Sequence, residues 1–144
     1  MLTGVETLMI GHGSPKLDLV ESIPLFVGLP KRELKEIARL ADVVDLPAGR
    51  DLTVEGAQGR EFFVLLQGTA VVRRHDEFVA VLQRGSFFGE IALLADRPRT
   101  ATVTTTAQSR LLVLTGRDFR ALLRELPALQ GKVLEAFASR LPGD

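Results

Sequence analysis

The sequence predicts a mainly β protein, an antiparallel β-roll of about eight strands with flanking helices. Its 144 residues, 46% of them hydrophobic, make about one domain and can bury a core. Between residues 42 and 83, short runs rich in β-branched and aromatic residues follow one another, separated by glycines. Two similar runs follow at 101–107 and 110–115. Helical periodicity lies mainly outside this region, so the helices flank the roll.

The N-terminal part divides into a tail and two helices. Residues 1–15 lack periodicity and end in a cluster of glycine, serine and proline, which is typical of a tail or linker. The folded domain is therefore expected over 16–144. A short helical stretch is expected at 17–22, and PKRELKEIARLA at 30–41 predicts a packing helix. Its apolar face consists of Leu34, Ile37, Ala38 and Ala41.

Seven runs carry the strand prediction: DVVDL (42–46), RDLTVEG (50–56), EFFVLLQG (61–68), TAVVRRH (69–75), EFVAVLQ (77–83), ATVTTTA (101–107) and RLLVLT (110–115). The pairs Phe62–Phe63 and Phe87–Phe88 are expected in the core, as aromatic residues at strand positions usually are. The basic residues 73–75 lie at a predicted hairpin end and are interpreted as a solvated edge.

The C-terminal part predicts two helices separated by a proline. Helical periodicity begins at Gly116 and breaks at Pro127. A last helix is predicted at about 128–141, with an apolar stripe formed by Leu129, Val133, Phe137 and Leu141. A helix that follows a proline break on a β-roll could move relative to the roll.

Composition excludes several classes of function. Eighteen basic residues balance eighteen acidic ones, so no overall field attracts nucleic acid or anionic lipid. There is no cysteine, and no segment approaches the ~20 apolar residues of a membrane span. The only histidines are His12 and His75, too few for the metal site of a cupin-type enzyme. We expect a cytoplasmic protein that is not an enzyme, holds no metal or cofactor, and binds neither nucleic acid nor membrane.

One segment, FFGEIALLADRPRTATV at 87–103, interrupts the strands with a short helix and a turn. The helix begins after Gly89, and its first backbone N–H groups have no partner inside the helix, so they can bind an anion. The small residues Gly89 and Ala92 let a ligand approach the backbone. Pro98 ends the helix and turns the chain, so that Arg99 returns toward the helix start. Its planar guanidinium can hold two oxygens of a phosphate or carboxylate.

Glu90 discriminates between ligands, because a carboxylate beside an anion site needs a second function. It can accept a hydrogen bond from a hydroxyl of the same ligand, and a ribose phosphate has both groups. Alternatively, Glu90 and Arg99 form only a surface ion pair across a turn, which would contribute little.

The motif Gly89-Glu90-Ile91-Ala92-Leu93 followed by Pro98-Arg99-Thr100-Ala101-Thr102 closely resembles the phosphate-binding cassette of the cyclic nucleotide-binding domain family. Gly56, Gly59 and Gly68 resemble the front of its β-roll, which is jelly-roll-like. The resemblance implies that Glu90 accepts the ribose 2′-hydroxyl and that Arg99 pairs with the cyclic phosphate. It also implies that the N–H groups of Ala92 and Ala101 hold the phosphate oxygens.

The resemblance further implies that the C-terminal helices are a hinge and a lid. Phe137 is then either a core residue or a cap on the purine. The ligand is expected to be cyclic AMP, while a hydroxyl at Thr100 is associated in the family with cyclic GMP, so the base stays open.

The function that follows is a cyclic nucleotide receptor or regulatory domain that signals through its C-terminal helices. Its partner would be a protein effector or a fused effector domain, and a homodimer is an open alternative. Because the given sequence predicts no recognition helix after the last helix, we do not expect direct binding to DNA. A rival interpretation is a module of the same fold that serves protein interaction or dimerisation without a nucleotide. The presence of both Glu90 and Arg99 argues against it.

Overall fold

The computed structural model describes residues 6–7 and 14–140. The helices are α1 (Ser14–Glu21), a 3-10 helix (Pro24–Phe26), α2 (Lys31–Leu40), α3 (Glu90–Leu94), α4 (Gly116–Glu125) and α5 (Pro127–Arg140). The strands are β1 (Glu6–Thr7), β2 (Asp42–Leu46), β3 (Asp51–Thr53), β4 (Glu61–Gln67), β5 (Ala70–Arg74), β6 (Glu77–Leu82), β7 (Phe87–Phe88), β8 (Thr102–Thr105) and β9 (Ser109–Thr115).

The strands form two antiparallel sheets, which confirms the predicted roll. One sheet has the order β1-β2-β9-β4-β7 and the other β3-β8-β5-β6. The prediction of a tail over 1–15 differs from the structure in two places. Strand β1 pairs with Val44 and Asp45, and α1 already begins at Ser14. The end of the predicted lid stripe, Leu141, lies outside the described residues.

The central strands of the first sheet are buried on both faces. Along β4, Phe62 packs with the helices on one face, while Phe63 faces the second sheet on the other. The ring of Phe62 stacks on Phe119 of α4 at 4.5 Å, and the ring of Phe63 stacks on Phe88 at 4.9 Å. Burial on both faces explains why this strand is a continuous apolar run rather than an alternating one.

Helix α5 is held at its first turn by a side chain from α2. Glu33 is 1% exposed, and its carboxylate accepts hydrogen bonds from the backbone N–H of Leu129 at 3.1 Å and of Ala128 at 3.4 Å. These amides would otherwise lack partners at the helix start. Helix α5 packs against α4 and the 3-10 helix. Glu33 lies outside the predicted apolar face of α2, yet it is buried because the start of α5 covers it.

Candidate functional site

The interruption at 87–103 folds as the sequence predicts. Strand β7 pairs with β4, and α3 begins directly after Gly89, whose φ is +99°. The helix is followed by Asp96 in the left-handed region, with φ +52°. An isolated bridge between Gln58 and Pro98 then fixes the returning chain. The turn therefore brings Arg99 back to the start of α3.

The loop before β4 holds the backbone of Arg99. Its N–H donates to the carbonyl of Ala57 at 2.7 Å, and its carbonyl accepts from the N–H of Gly56 at 2.9 Å. The guanidinium donates through Nη1 to the carbonyl of Gly89 at 3.1 Å and through Nη2 to the carbonyl of Glu61 at 2.7 Å. Four hydrogen bonds, two of them to adjacent residues of one loop, thus fix this one arginine.

Two glycines make room for the Arg99 side chain. A Cβ atom on Gly89 would lie 2.7 Å from Nη1 of Arg99, and one on Gly59 would lie 2.9 Å from Nε. The guanidinium also lies 5.9 Å from the ring centroid of Phe63, within the range of a cation–π interaction. Gly59 resembles a glycine at the front of the family's roll, and here the absence of a side chain at Gly59 leaves room for Arg99.

Arg99 is a buried cation. It is 6% exposed, and burial lowers the pKa of its guanidinium, while the charges of Glu61 and Glu90 act in the opposite direction. An arginine side chain keeps its proton in proteins, so the lowered pKa leaves the positive charge in place. A desolvated charge attracts an anion more strongly than an exposed one does.

Glu90, the first residue of α3, is also buried, with 1% exposure. A carboxylate at a helix N-terminus interacts favourably with the helix dipole. Because Glu90 and Arg99 are both buried, the alternative of a surface ion pair is wrong.

A cavity of about 280 Å³ contains most of the predicted site residues. Its lining includes Gly89, Glu90, Ala92, Arg99, Thr100 and Ala101. Of Ile91 the structure gives the backbone, which lies in α3. Two other cavities have similar volumes, one of about 290 Å³ that also has Ala92 in its lining and one of about 280 Å³, so volume alone does not distinguish the site. The first cavity differs from these two in having two buried charged side chains, Glu90 and Arg99, in its lining.

Phe137 does not line this cavity. It is half-buried on α5, the helix that packs against α4 and the 3-10 helix. The structure therefore leaves the predicted purine cap apart from the other site residues. A periodic stripe indicates which face of a helix is apolar, but it does not indicate which surface that face contacts.

Two further polar residues line the cavity, and no local sequence signal indicated either of them. Thr53 lines the cavity, and its hydroxyl donates to the carbonyl of Ala101 at 2.9 Å. Arg74, interpreted as part of a solvated hairpin end, also lines the cavity and donates from Nε to the carbonyl of Thr100 at 3.2 Å. Predicting these two residues requires the order of strands in the second sheet. Strand β8 lies between β3 and β5, so Thr53 and Arg74 both lie beside the cassette. Apolar lining comes from Val79, Ala80, Phe88 and Val103.

Comparison with known proteins identifies the class. The sequence profile described as "Cyclic nucleotide-binding domain" matches residues 43–125, more than half of the chain. The chain belongs to this family. No helix in the part of the chain that the structure describes has the length and apolar character needed to cross a membrane.

Two relatives have similar sequences over most of this chain. The chain is 37% identical over 129 residues to a cAMP-dependent protein kinase regulatory subunit of Mycosarcoma maydis, covering 85% of this chain and 24% of the relative. It is 34% identical over 125 residues to a cyclic nucleotide-gated potassium channel of Rhizobium etli, covering 87% and 35%. The chain thus spans about a quarter to a third of the length of these relatives.

Solved structures share the fold. The regulatory domain of Toxoplasma gondii PKA, crystallised with cAMP, superposes with a TM-score of 0.77 at 23% identity, covering 88% of this chain and 49% of that one. The sensor domain of the transcriptional regulator DNR from Pseudomonas aeruginosa superposes with a TM-score of 0.73 at 23% identity, covering 88% and 94%.

Proposed function

We propose that this chain is a cyclic nucleotide receptor domain, with cyclic AMP as its ligand, and that it regulates rather than catalyses. The observation that carries the proposal is the cavity between α3 and the second sheet, where a buried cation and a buried carboxylate meet. A ligand that carries both an anionic group and a hydroxyl can form hydrogen bonds with both side chains. Relatives named as cAMP-dependent regulatory subunits support the choice of cyclic AMP.

Arg99 binds the cyclic phosphate in this proposal. A guanidinium has five N–H donors, and the two bonds to carbonyl oxygens leave others for a phosphate oxygen. Those two bonds also fix the guanidinium before the ligand arrives, so little side-chain entropy is lost on binding. The N–H groups of Ala92 and Ala101 complete the phosphate site.

Glu90 accepts the ribose 2′-hydroxyl. The carboxylate is buried in the free protein, so the cost of its desolvation is borne by folding and not by binding. A ligand that lacks the hydroxyl would leave a buried charged acceptor without that donor. Gly89, with its positive φ and no side chain, lets the sugar come close.

Helix α5 carries the signal. Bound nucleotide offers the apolar stripe of α5 a purine face to cover, and Phe137 is the residue that would cover it. A ligand shifts such an equilibrium only through contacts that differ between the two positions, so lid closure and affinity are coupled. The output is a change in a protein effector or in a fused effector domain. The chain acts in the cytoplasm, as a monomer or a homodimer.

Calorimetric titration with cyclic AMP, cyclic GMP and linear 5′-AMP tests the proposal. We expect cyclic AMP to bind more tightly than 5′-AMP, and Arg99→Leu to weaken it by at least about 1.5–3 kcal/mol, the contribution of a charge-assisted hydrogen bond. Arg97→Leu is the matched control, because it removes the same charge from an exposed arginine two residues away. Absence of binding would favour the nucleotide-independent interaction module, whereas equal affinity of the two variants for cyclic AMP would contradict the role of Arg99.

A further inference from the structure

The cavity of about 290 Å³ beside the cassette, the arginine cavity, is lined by two exposed arginines. Arg97 belongs to the turn that follows α3, and Arg120 belongs to α4. The loop before β4 contributes Gln58. The arginine cavity shares Ala92 with the first cavity. A molecule bound there would therefore contact the same short helix that forms the proposed nucleotide site.

The charges of the arginine cavity are not neutralised by the protein. Within residues 6–7 and 14–140, neither Arg97 nor Arg120 forms an ion pair with a carboxylate. The other charged residue of the lining is Asp96, which forms no ion pair in that part of the chain either. Two positive charges and one negative charge leave the lining with a net charge of +1, so the cavity favours an anion.

Helix α4 extends this positive surface beyond the cavity. Arg117, Arg120 and Arg124 follow one another at intervals of three and four residues, so they lie on one side of the helix. All three are exposed. The acidic residues Asp118 and Glu125 are seven residues apart and lie on a different side. The row of arginines is about 10 Å long, because an α-helix rises 1.5 Å per residue.

We infer that the arginine cavity and the row on α4 bind an acidic segment of a protein effector. The inference rests on the proposed function in assigning this segment to the effector, while the binding itself requires no nucleotide. An extended chain advances about 3.3 Å per residue, so a row of about 10 Å matches three or four consecutive residues. Acidic side chains fit because a guanidinium can hold both oxygens of a carboxylate.

Asp96 favours a peptide over the phosphate backbone of a nucleic acid. Its carboxylate accepts hydrogen bonds and donates none, so it opposes a ligand that presents only anionic oxygens. A peptide carries backbone N–H groups beside its acidic side chains. The N–H groups can donate to Asp96 while the acidic side chains bind Arg97 and Arg120. The cavity is also concave, whereas a membrane presents a flat surface.

The test is fluorescence anisotropy of the full chain with a labelled peptide that contains four consecutive glutamates, in the absence of nucleotide. A peptide with four glutamines in their place is the neutral control. The double variant Arg97→Ala/Arg120→Ala should bind the glutamate peptide at least about tenfold more weakly than the wild type. Arg32→Ala/Arg84→Ala is the matched control, because it also removes two exposed arginines that form no ion pair in the described residues. It should weaken binding by less than about twofold.

Several outcomes would overturn the inference. The wild type would bind the glutamate peptide no more tightly than the glutamine peptide, or the two double variants would bind it alike. Tighter binding of duplex DNA or of phosphatidylserine vesicles, with the same dependence on Arg97 and Arg120, would also overturn it. Thermal unfolding shows whether each variant is folded, and the single variants decide the matter if the double variant is not. Calorimetry with cyclic AMP is a separate measurement, so absence of nucleotide binding would refute the proposed function without changing the result for the peptide.

Discussion

Replacing Gly89 with alanine should displace Arg99 without changing any charge. The backbone at Gly89 has φ +99°, where a Cβ atom costs about 1–2 kcal/mol. That Cβ would also lie 2.7 Å from Nη1 of Arg99 and 2.7 Å from the carbonyl oxygen of Glu61. The carbonyl belongs to β4 and cannot move easily, so the guanidinium must shift. It then loses its alignment with the phosphate, and affinity falls by about tenfold or more if one charge-assisted hydrogen bond is lost.

Gly49→Ala is the control for backbone strain alone. Its φ of +87° is similar, but a Cβ there would meet nothing within 4 Å. Urea unfolding should show a loss of about 1–2 kcal/mol for Gly49→Ala and more for Gly89→Ala. Calorimetry with cyclic AMP should show a weaker affinity only for Gly89→Ala. If both variants bind cyclic AMP as the wild type does, the packing of Gly89 against Arg99 has no part in phosphate binding.

Three further predictions concern the C-terminal helices. Glu33→Ala should lower the free energy of unfolding by about 1–3 kcal/mol, because it leaves two amides of α5 unpaired. Glu33→Gln should lower it less, since the amide keeps one acceptor oxygen. Equal stability of Glu33→Ala and the wild type in urea would refute this prediction. Gly131→Ala should raise the melting temperature, because alanine favours a helix by about 1 kcal/mol and a Cβ there meets nothing within 4 Å; no rise would contradict a folded α5. Truncation after Pro127 should weaken cyclic nucleotide binding while the roll stays folded. In the full chain, amide hydrogen exchange in residues 128–140 should slow when the ligand is added. The lid proposal fails if neither the affinity nor the exchange rate changes.

Local sequence patterns were sufficient to predict most of the strands and the course of the cassette. The strand runs alternate or are bounded by glycines, so each predicted strand overlaps an observed one within a few residues. In the cassette, the order of glycine, helix, turn and arginine determines the geometry, because α3 ends at Leu94 and the turn that contains Asp96 and Pro98 directs Arg99 back to Gly89. The sequence therefore predicts that Glu90 and Arg99 lie near one another, whereas their burial is visible only in the structure.

The contributions from distant strands and helices could not be predicted. Arg74 lies 26 residues before Thr100, and only the order of strands in the second sheet brings the two together. Glu33 lies 96 residues before Leu129, and an acidic residue in the first turn of a helix is typical of a solvated face. Phe137 belongs to a helix whose position depends on packing against other helices rather than on its own stripe.

The central claim is that one ligand binds to Arg99 through its phosphate and to Glu90 through its hydroxyl. The most direct test measures the affinities of cyclic AMP and 2′-deoxy cyclic AMP for the wild type and for Glu90→Gln. The wild type should bind the deoxy ligand more weakly by about 1–3 kcal/mol, because the hydrogen bond from the ligand hydroxyl to a buried carboxylate is lost, and the difference should shrink in the variant. Equal affinity of the wild type for the two ligands, or an undiminished difference in Glu90→Gln, would contradict the claim.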